Sequence, residues 1–414
     1  MRRMAKGAAL TSLLLVVACS SNGAMKPSAD AGHAAVAGAS SQLAAGSGAS
    51  AAGTAGATAA RDASALMTLD ARMPDPAPAS NDASVVRPSD AGGAEDAGTL
   101  LDSGALPDSG PPEDSGPSTS RSLSCPSGMT AYPNPLPSDR QATLVQGNFG
   151  FIEGPLWIAE RNQLLFSDMD FTTSNNPNGP DAVIRRFTPP NTFDVFAMAS
   201  GSNGLALGND GRVVAASHGV QSLIDFDLTT GQREVRALDY QGKHFNSPND
   251  LVVRADGNVY FTDPDFQLGP RMSETNMRGV YRVSPSGAVS LVDGTLNQPN
   301  GITLSPDENT LYVGSAGRDV FSYSLAADGG IAGMRKVFAS PGASDGLGID
   351  CAGNVYVTST TVQVFDVAGS KLGEIAVAEP PSNVAFGGPN RTTLFITAQG
   401  GLYSIELRVP GRCY

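Results

Sequence analysis

No Phe, Trp or Tyr occurs before Tyr132 in this 414-residue chain. A stretch built mainly of Ala, Gly, Ser, Pro and Asp cannot bury enough apolar surface to offset the entropy of ordering it. Residues 20–121 are therefore read as a disordered tether, in which the repeated Asp-Ser-Gly triplets and interspersed prolines favour an extended, self-repelling chain. Cysteine is scarce, with four residues, and histidine scarcer, with three. Neither Cys-x-x-Cys nor His-x-x-x-His spacing occurs, which argues against a zinc site of the tetrahedral thiolate type. From Cys125 onward no stretch of twelve or more residues carries helical apolar spacing. Basic residues are few as well: 27 Lys and Arg face 40 Asp and Glu, for a net charge of −13. Phosphate binding needs a basic face, so nucleic acid is excluded as a partner.

Residues 1–19 combine Arg2, Arg3 and Lys6 with an apolar core too short to span a bilayer, the form of a signal peptide. Their end, Val16-Val17-Ala18-Cys19, resembles the lipobox of bacterial lipoproteins. That resemblance implies acylation at Cys19, export, and a membrane link through the lipid alone. Ser20, where a retention Asp would otherwise stand, favours the outer membrane. A plain cleaved secretory signal is the alternative. Between residues 20 and 124 twelve acidic residues face five basic ones, so much of the negative charge lies outside the remaining 122–414 domain. An exported protein meets an oxidising compartment. With Cys19 lipidated, the expected bridge is Cys125–Cys413, which bracket the domain, leaving Cys351 a buried free thiol.

The domain repeats itself. Polar anchors at Glu153, Asn203, Asn249, Asn300, Asp345 and Asn383 each precede a short apolar strand, a turn and a second strand, as in Asn249-Asp-Leu-Val-Val253 leading to Val259-Tyr-Phe-Thr-Asp263. Six units spaced about 45 residues apart, each a hairpin with room for two more strands, predict an all-β chain folded as a six-bladed β-propeller. A two-sheet sandwich would need no such regular anchor. In a propeller the first strand of each blade lines the central channel, so the anchors converge on one mouth. Ring closure is expected to pair the early segment 142–145 with the final strand at 401–407.

Glu153, Asn203, Asn249, Asn300 and Asp345 form an oxygen-only donor set, suited to a hard divalent cation. Taken singly, an Asn or Asp before a strand is more simply a turn residue bonding its own backbone. Glu153 fits that reading less well.

Glu153-Gly-Pro-Leu-Trp157, Ser247-Pro-Asn-Asp250, Pro299-Asn-Gly301, Ser344-Asp-Gly-Leu347 and Asn383-Val-Ala-Phe-Gly-Gly388 together resemble the blade signatures of the gluconolactonase/regucalcin lactonase family, across residues 149–407. The resemblance implies one divalent cation at the mouth, Ca²⁺ first, with Mg²⁺, Mn²⁺ or Zn²⁺ as alternatives, and hydrolysis of a small-molecule lactone; the oligomeric state is left open by the sequence, with a monomer the first expectation. Carried over, Glu153, Asn300 and Asp345 are metal ligands, Asn249 faces both metal and substrate, and Asp345 is also the general base. Asn203 follows as a substrate-side residue of the bacterial branch. Ser247 stands where regucalcin-like members place an arginine, which leaves the substrate open. His218 is a candidate pocket residue, although a structural histidine bonding a neighbouring blade is the commoner role. His244 and Asp263 are strand-end residues near the rim, Trp157 is core packing, and the loop 172–181 is a candidate cover for the mouth. A non-catalytic binding propeller and a metal-dependent esterase or phosphotriesterase are the competing functions.

Overall fold

The computed structural model describes residue 125 and residues 132–173 and 176–412. The expected leader 1–19, with Cys19, and the tether 20–121 lie outside the described residues, as does Cys413.

Among the described residues, short runs of Val, Ile, Leu, Phe and Tyr, punctuated by Asp-Gly and Asn-Gly turn chemistry, form strands and hairpins and nothing helical beyond two single 3₁₀ turns. Among the described residues, six four-stranded antiparallel sheets succeed one another along the chain. The chain is a six-bladed β-propeller. Blades 1 to 6 begin with Phe151–Ile158, Ser202–Leu207, Leu251–Val253, Pro299–Leu304, Leu347–Ile349 and Pro381–Gly387. In blade 3, Leu251 pairs with Phe261 and Val253 with Val259, so the hairpin read from the sequence is present in that register. Blade 6 is completed by Thr143–Gln146, which runs antiparallel to Gly401–Glu406 with Leu144 opposite Tyr403. Closure by the two ends of the domain is therefore as expected.

Hydrogen bonds at the anchor end join every neighbouring pair of blades. Ser167 Oγ donates to Asn203 O at 2.7 Å, Thr262 Oγ1 to Asn300 O at 2.8 Å, Thr358 Oγ1 to Ser382 O at 2.7 Å and Ser382 Oγ to Ile152 O at 2.7 Å. The two remaining junctions use glycine N–H groups, Gly204 to Asn249 O at 2.6 Å and Gly301 to Asp345 O at 2.8 Å. Glycine is required there because a Cβ on Gly301 would stand 2.3 Å from Asp345 O, and one on Gly204 2.6 Å from Asn249 O. The glycine that follows these anchors in sequence is thus the residue that lets the next blade close on the axis.

Between blades the faces are apolar. Trp157 is buried and stacks on Phe395 of blade 6 at 5.4 Å between ring centroids, the packing role expected of it.

One expectation fails. The disulfide joins Cys125 to Cys351, not to Cys413, so Cys351 is not a free thiol. Cys351 sits in the turn after Leu347–Ile349, at the end of blade 5 opposite its anchor, and its N–H donates to Pro410 O at 2.8 Å. The C-terminal tail therefore passes the same spot. Bracketing in sequence pointed to the wrong partner because the sequence carries no record of which inter-strand turn the N-terminal segment reaches.

Candidate active site

The first strands are buried along their lengths, and each runs from its anchor down the channel wall. Beyond the anchors a cavity is lined by apolar side chains from every blade, among them Leu156, Leu205, Leu251, Ile302, Leu347 and Val384, and also by Arg391 and Arg412. The polar mouth therefore rests on a low-dielectric floor. Charge placed there is poorly solvated.

Three buried carboxylates act on one another there. Burial pushes Glu153 well above the usual carboxylate range, and the negative charges of Asp345 and Asp250 push it further. Burial raises Asp345 to about 7; Asn300 Nδ2, donating to its Oδ1 at 2.8 Å, works the other way, and Asp250 adds to the rise. Asp250 is raised to about 6 by burial, although it accepts hydrogen bonds from the backbone N–H of Leu251 at 2.9 Å and of Ile302 at 3.3 Å. Asn383 bridges the group: its Nδ2 donates to Asp250 Oδ2 at 3.3 Å, and its amide also serves Glu153. The groups acting on these acids are one another, backbone N–H groups and amides, and no cationic side chain is among them.

Buried acids that act on one another in this way must take up protons or be balanced by a positive ion. Among the described residues no three His, Cys, Asp or Glu side chains are close enough to hold a metal by themselves. A cation here therefore needs the amide oxygens of the Asn anchors, an all-oxygen set that suits Ca²⁺. The residues present fit such an ion.

The structure gathers Glu153, Asn300 and Asp345 as the sequence implied, through the Asn300–Asp345 hydrogen bond and the field of Asp345 on Glu153. Asn249 and Asn203 are buried in the same ring, their carbonyls held by Gly204 N–H and Ser167 Oγ. Asp250 and Asn383 were not among the candidate site residues. The signal for Asp250 was present in the Asn249-Asp250 pair, in which an acid follows the anchor where the other blades carry glycine or an apolar residue.

His218 is set apart. It is fully buried, its Nε2 donates to Pro180 O of blade 1 at 2.9 Å, and its Nδ1 has no partner among the described residues. Desolvation pushes it down to about 4, with the Arg271 charge contributing, so the ring stays neutral near pH 7. It lies against Gly179, which also packs on the Gln267 carbonyl of a blade 3 loop. The described part of the loop 172–181 thus reaches over blade 2 to blade 3. His244, by contrast, is exposed on the short Lys243–His244 strand.

Asp263, at the end of its strand, is fully buried, accepts the Asn246 N–H at 2.8 Å through Oδ2, and has no hydrogen-bond partner for Oδ1 among the described residues. Burial raises it to about 8. An unfolded Asp titrates near about 3.9, so between those values the folded chain holds a proton that the unfolded chain has released. The stabilisation is complete below about pH 4 and is lost as pH rises through about 8, at up to about 1.4 kcal/mol per pH unit. Asp263→Asn should remove that share of the slope in urea denaturation series run from about pH 5 to pH 8. An unchanged slope would show that Asp263 is ionised in the folded chain.

With this geometry in hand, the comparisons with known proteins are direct. A family model described as the SMP-30/Gluconolactonase/LRE-like region matches residues 151–400. The chain belongs to this family. A gluconolactonase of Zymomonas mobilis is 33% identical over 301 residues, spanning 65% of this chain and 82% of that relative. A pentonolactonase of Haloferax volcanii is 26% identical over 261 residues, spanning 60% and 81%. Among solved structures, a gluconolactonase from Xanthomonas campestris superposes with a TM-score of 0.58 at 29% identity, covering 68% of this chain and 99% of that one. Family membership covers the propeller and leaves the N-terminal segment aside.

Proposed function

We propose that the protein is a divalent-cation-dependent hydrolase that opens a lactone ring at the channel mouth. The observation that carries this reading is the burial of Glu153, Asp250 and Asp345 where they act on one another, with no cationic side chain among the groups that act on them, in a chain whose relatives are named lactonases. Glu153, Asn249, Asn300 and Asp345 would hold the cation, which when bound supplies a Lewis acid for the lactone carbonyl. Asn300 and Asn249 contribute neutral oxygens and so add no negative charge beyond that of the carboxylates. Asn300 occupies Asp345 Oδ1, so Oδ2 is the oxygen that accepts the proton of the attacking water. Asp250, tied to the backbone of two blades and to Asn383, holds the floor of the site in place and adds negative charge beneath it. Asn203 and the blade 1 and blade 3 loops would form the substrate side, with His218 buried beneath the blade 1 loop through its bond to Pro180 O. Ca²⁺ is the favoured ion on the all-oxygen donor set.

The full chain, assayed on a panel of aliphatic and sugar lactones beside an aryl ester and a phosphotriester, should hydrolyse a lactone fastest. It should lose that activity in excess EDTA and regain it on addition of Ca²⁺. Undiminished turnover in chelator sinks the cation-dependent reading, and cation binding with no turnover of any substrate favours a binding propeller.

A further inference from the structure

We infer that Thr262 is a positioning residue that sets the spacing between the Asn249 and Asn300 sides of the cation site. Thr262 is fully buried on the second strand of blade 3. Its backbone clamps the anchor of its own blade: Asn249 N–H donates to Thr262 O at 2.9 Å, and Thr262 N–H donates to Asp250 O at 2.9 Å. Its hydroxyl links the anchor of its own blade to blade 4, the Asn300 carbonyl at 2.8 Å being a nearer acceptor than Asp250 O at 3.4 Å. It accepts the Asp250 N–H at 3.1 Å and donates its single proton to Asn300 O at 2.8 Å. Asn300 in turn reaches Asp345 through Nδ2 at 2.8 Å, and Gly301 N–H holds Asp345 O at 2.8 Å. An unbroken run of hydrogen bonds thus leads from Asn249 through Thr262 and Asn300 to Asp345.

The corresponding hydroxyls of blades 1 and 5 latch Asn203 O and Ser382 O. Thr262 differs in that residues proposed to hold the cation lie on both sides of it. A backbone shift at this junction would change the distance between two ligands, and outer partners of this kind commonly alter metal affinity by about ten- to a hundredfold. The inference rests on the reading of the mouth as a cation site.

The test titrates Ca²⁺ calorimetrically into the full chain and three variants. Thr262→Val keeps the branched shape and removes the hydroxyl, and should raise the Ca²⁺ Kd by about tenfold or more. Thr262→Ser should return it to the wild-type value. Tyr260→Phe is the structural control: it removes a buried hydroxyl from the same strand, where Tyr260 Oη donates to Gly329 O at 2.7 Å, away from the mouth. It should lower the thermal midpoint as Thr262→Val does while leaving the Kd alone. If Thr262→Val shifts the Kd no more than Tyr260→Phe does, or if Ser fails to restore it, the positioning role is wrong while the cation site stands. A wild-type chain that binds no Ca²⁺, Mg²⁺ or Mn²⁺ overturns the site itself, and this inference with it.

Discussion

Asp345→Ala is expected to lower kcat for lactone hydrolysis by about a thousandfold or more, because on the proposed mechanism it removes both a cation ligand and the proton acceptor. Glu153→Ala should cost a similar factor by a different route, through loss of the ion alone, and high Ca²⁺ should recover part of its activity. Neither change should unfold the chain. Each deletes one of three mutually repelling buried acids, so in chelator both variants should melt at or above the wild-type temperature. With Ca²⁺ the order should reverse, since ion binding stabilises only the chain that can hold it. Stopped-assay kinetics beside calorimetric melts, each with and without Ca²⁺, read both effects. Activity within tenfold of wild type for Asp345→Ala would remove that residue from the chemistry.

The second large effect concerns stability. Cys351→Ser should cost about 3 to 5 kcal/mol in guanidinium denaturation, since the bridge to Cys125 closes a loop with a sequence separation of 226 and long loops stabilise most in the chain-entropy account. The same bridge fixes the segment that supplies Thr143–Gln146, the strand completing blade 6. Its loss therefore loosens ring closure as well as the unfolded-state constraint. Wild type in reductant should match Cys351→Ser without it, and Cys413→Ser should match untreated wild type. Loss of stability in Cys413→Ser alone would mean that the pairing is wrong.

The propeller was legible in the sequence because its signal is periodic. Anchor, apolar strand, turn and second strand recur, and the glycines after Asn203 and Asn300 record the close approach of the next blade. The convergence of Glu153, Asn300 and Asp345 followed from that period together with the family signature. What the sequence left out depends on contacts between blades. Asp250 looked like part of a turn until the structure placed it against Ile302 N–H of the next blade and Asn383 across the channel. Asp263 looked like a strand end, and only its complete burial sets it near 8. The disulfide was misread for the same reason, since pairing depends on which turn lies beside Cys125 in space.

The position of that disulfide also decides where the chain is gathered into the ring. Cys351 lies in a turn at the end of blade 5 opposite the anchors, so Cys125 is held at the back of the disc. The bridge and the C-terminal tail, whose Pro410 O accepts the Cys351 N–H, thus bring the two ends of the described domain together on the side away from the channel mouth.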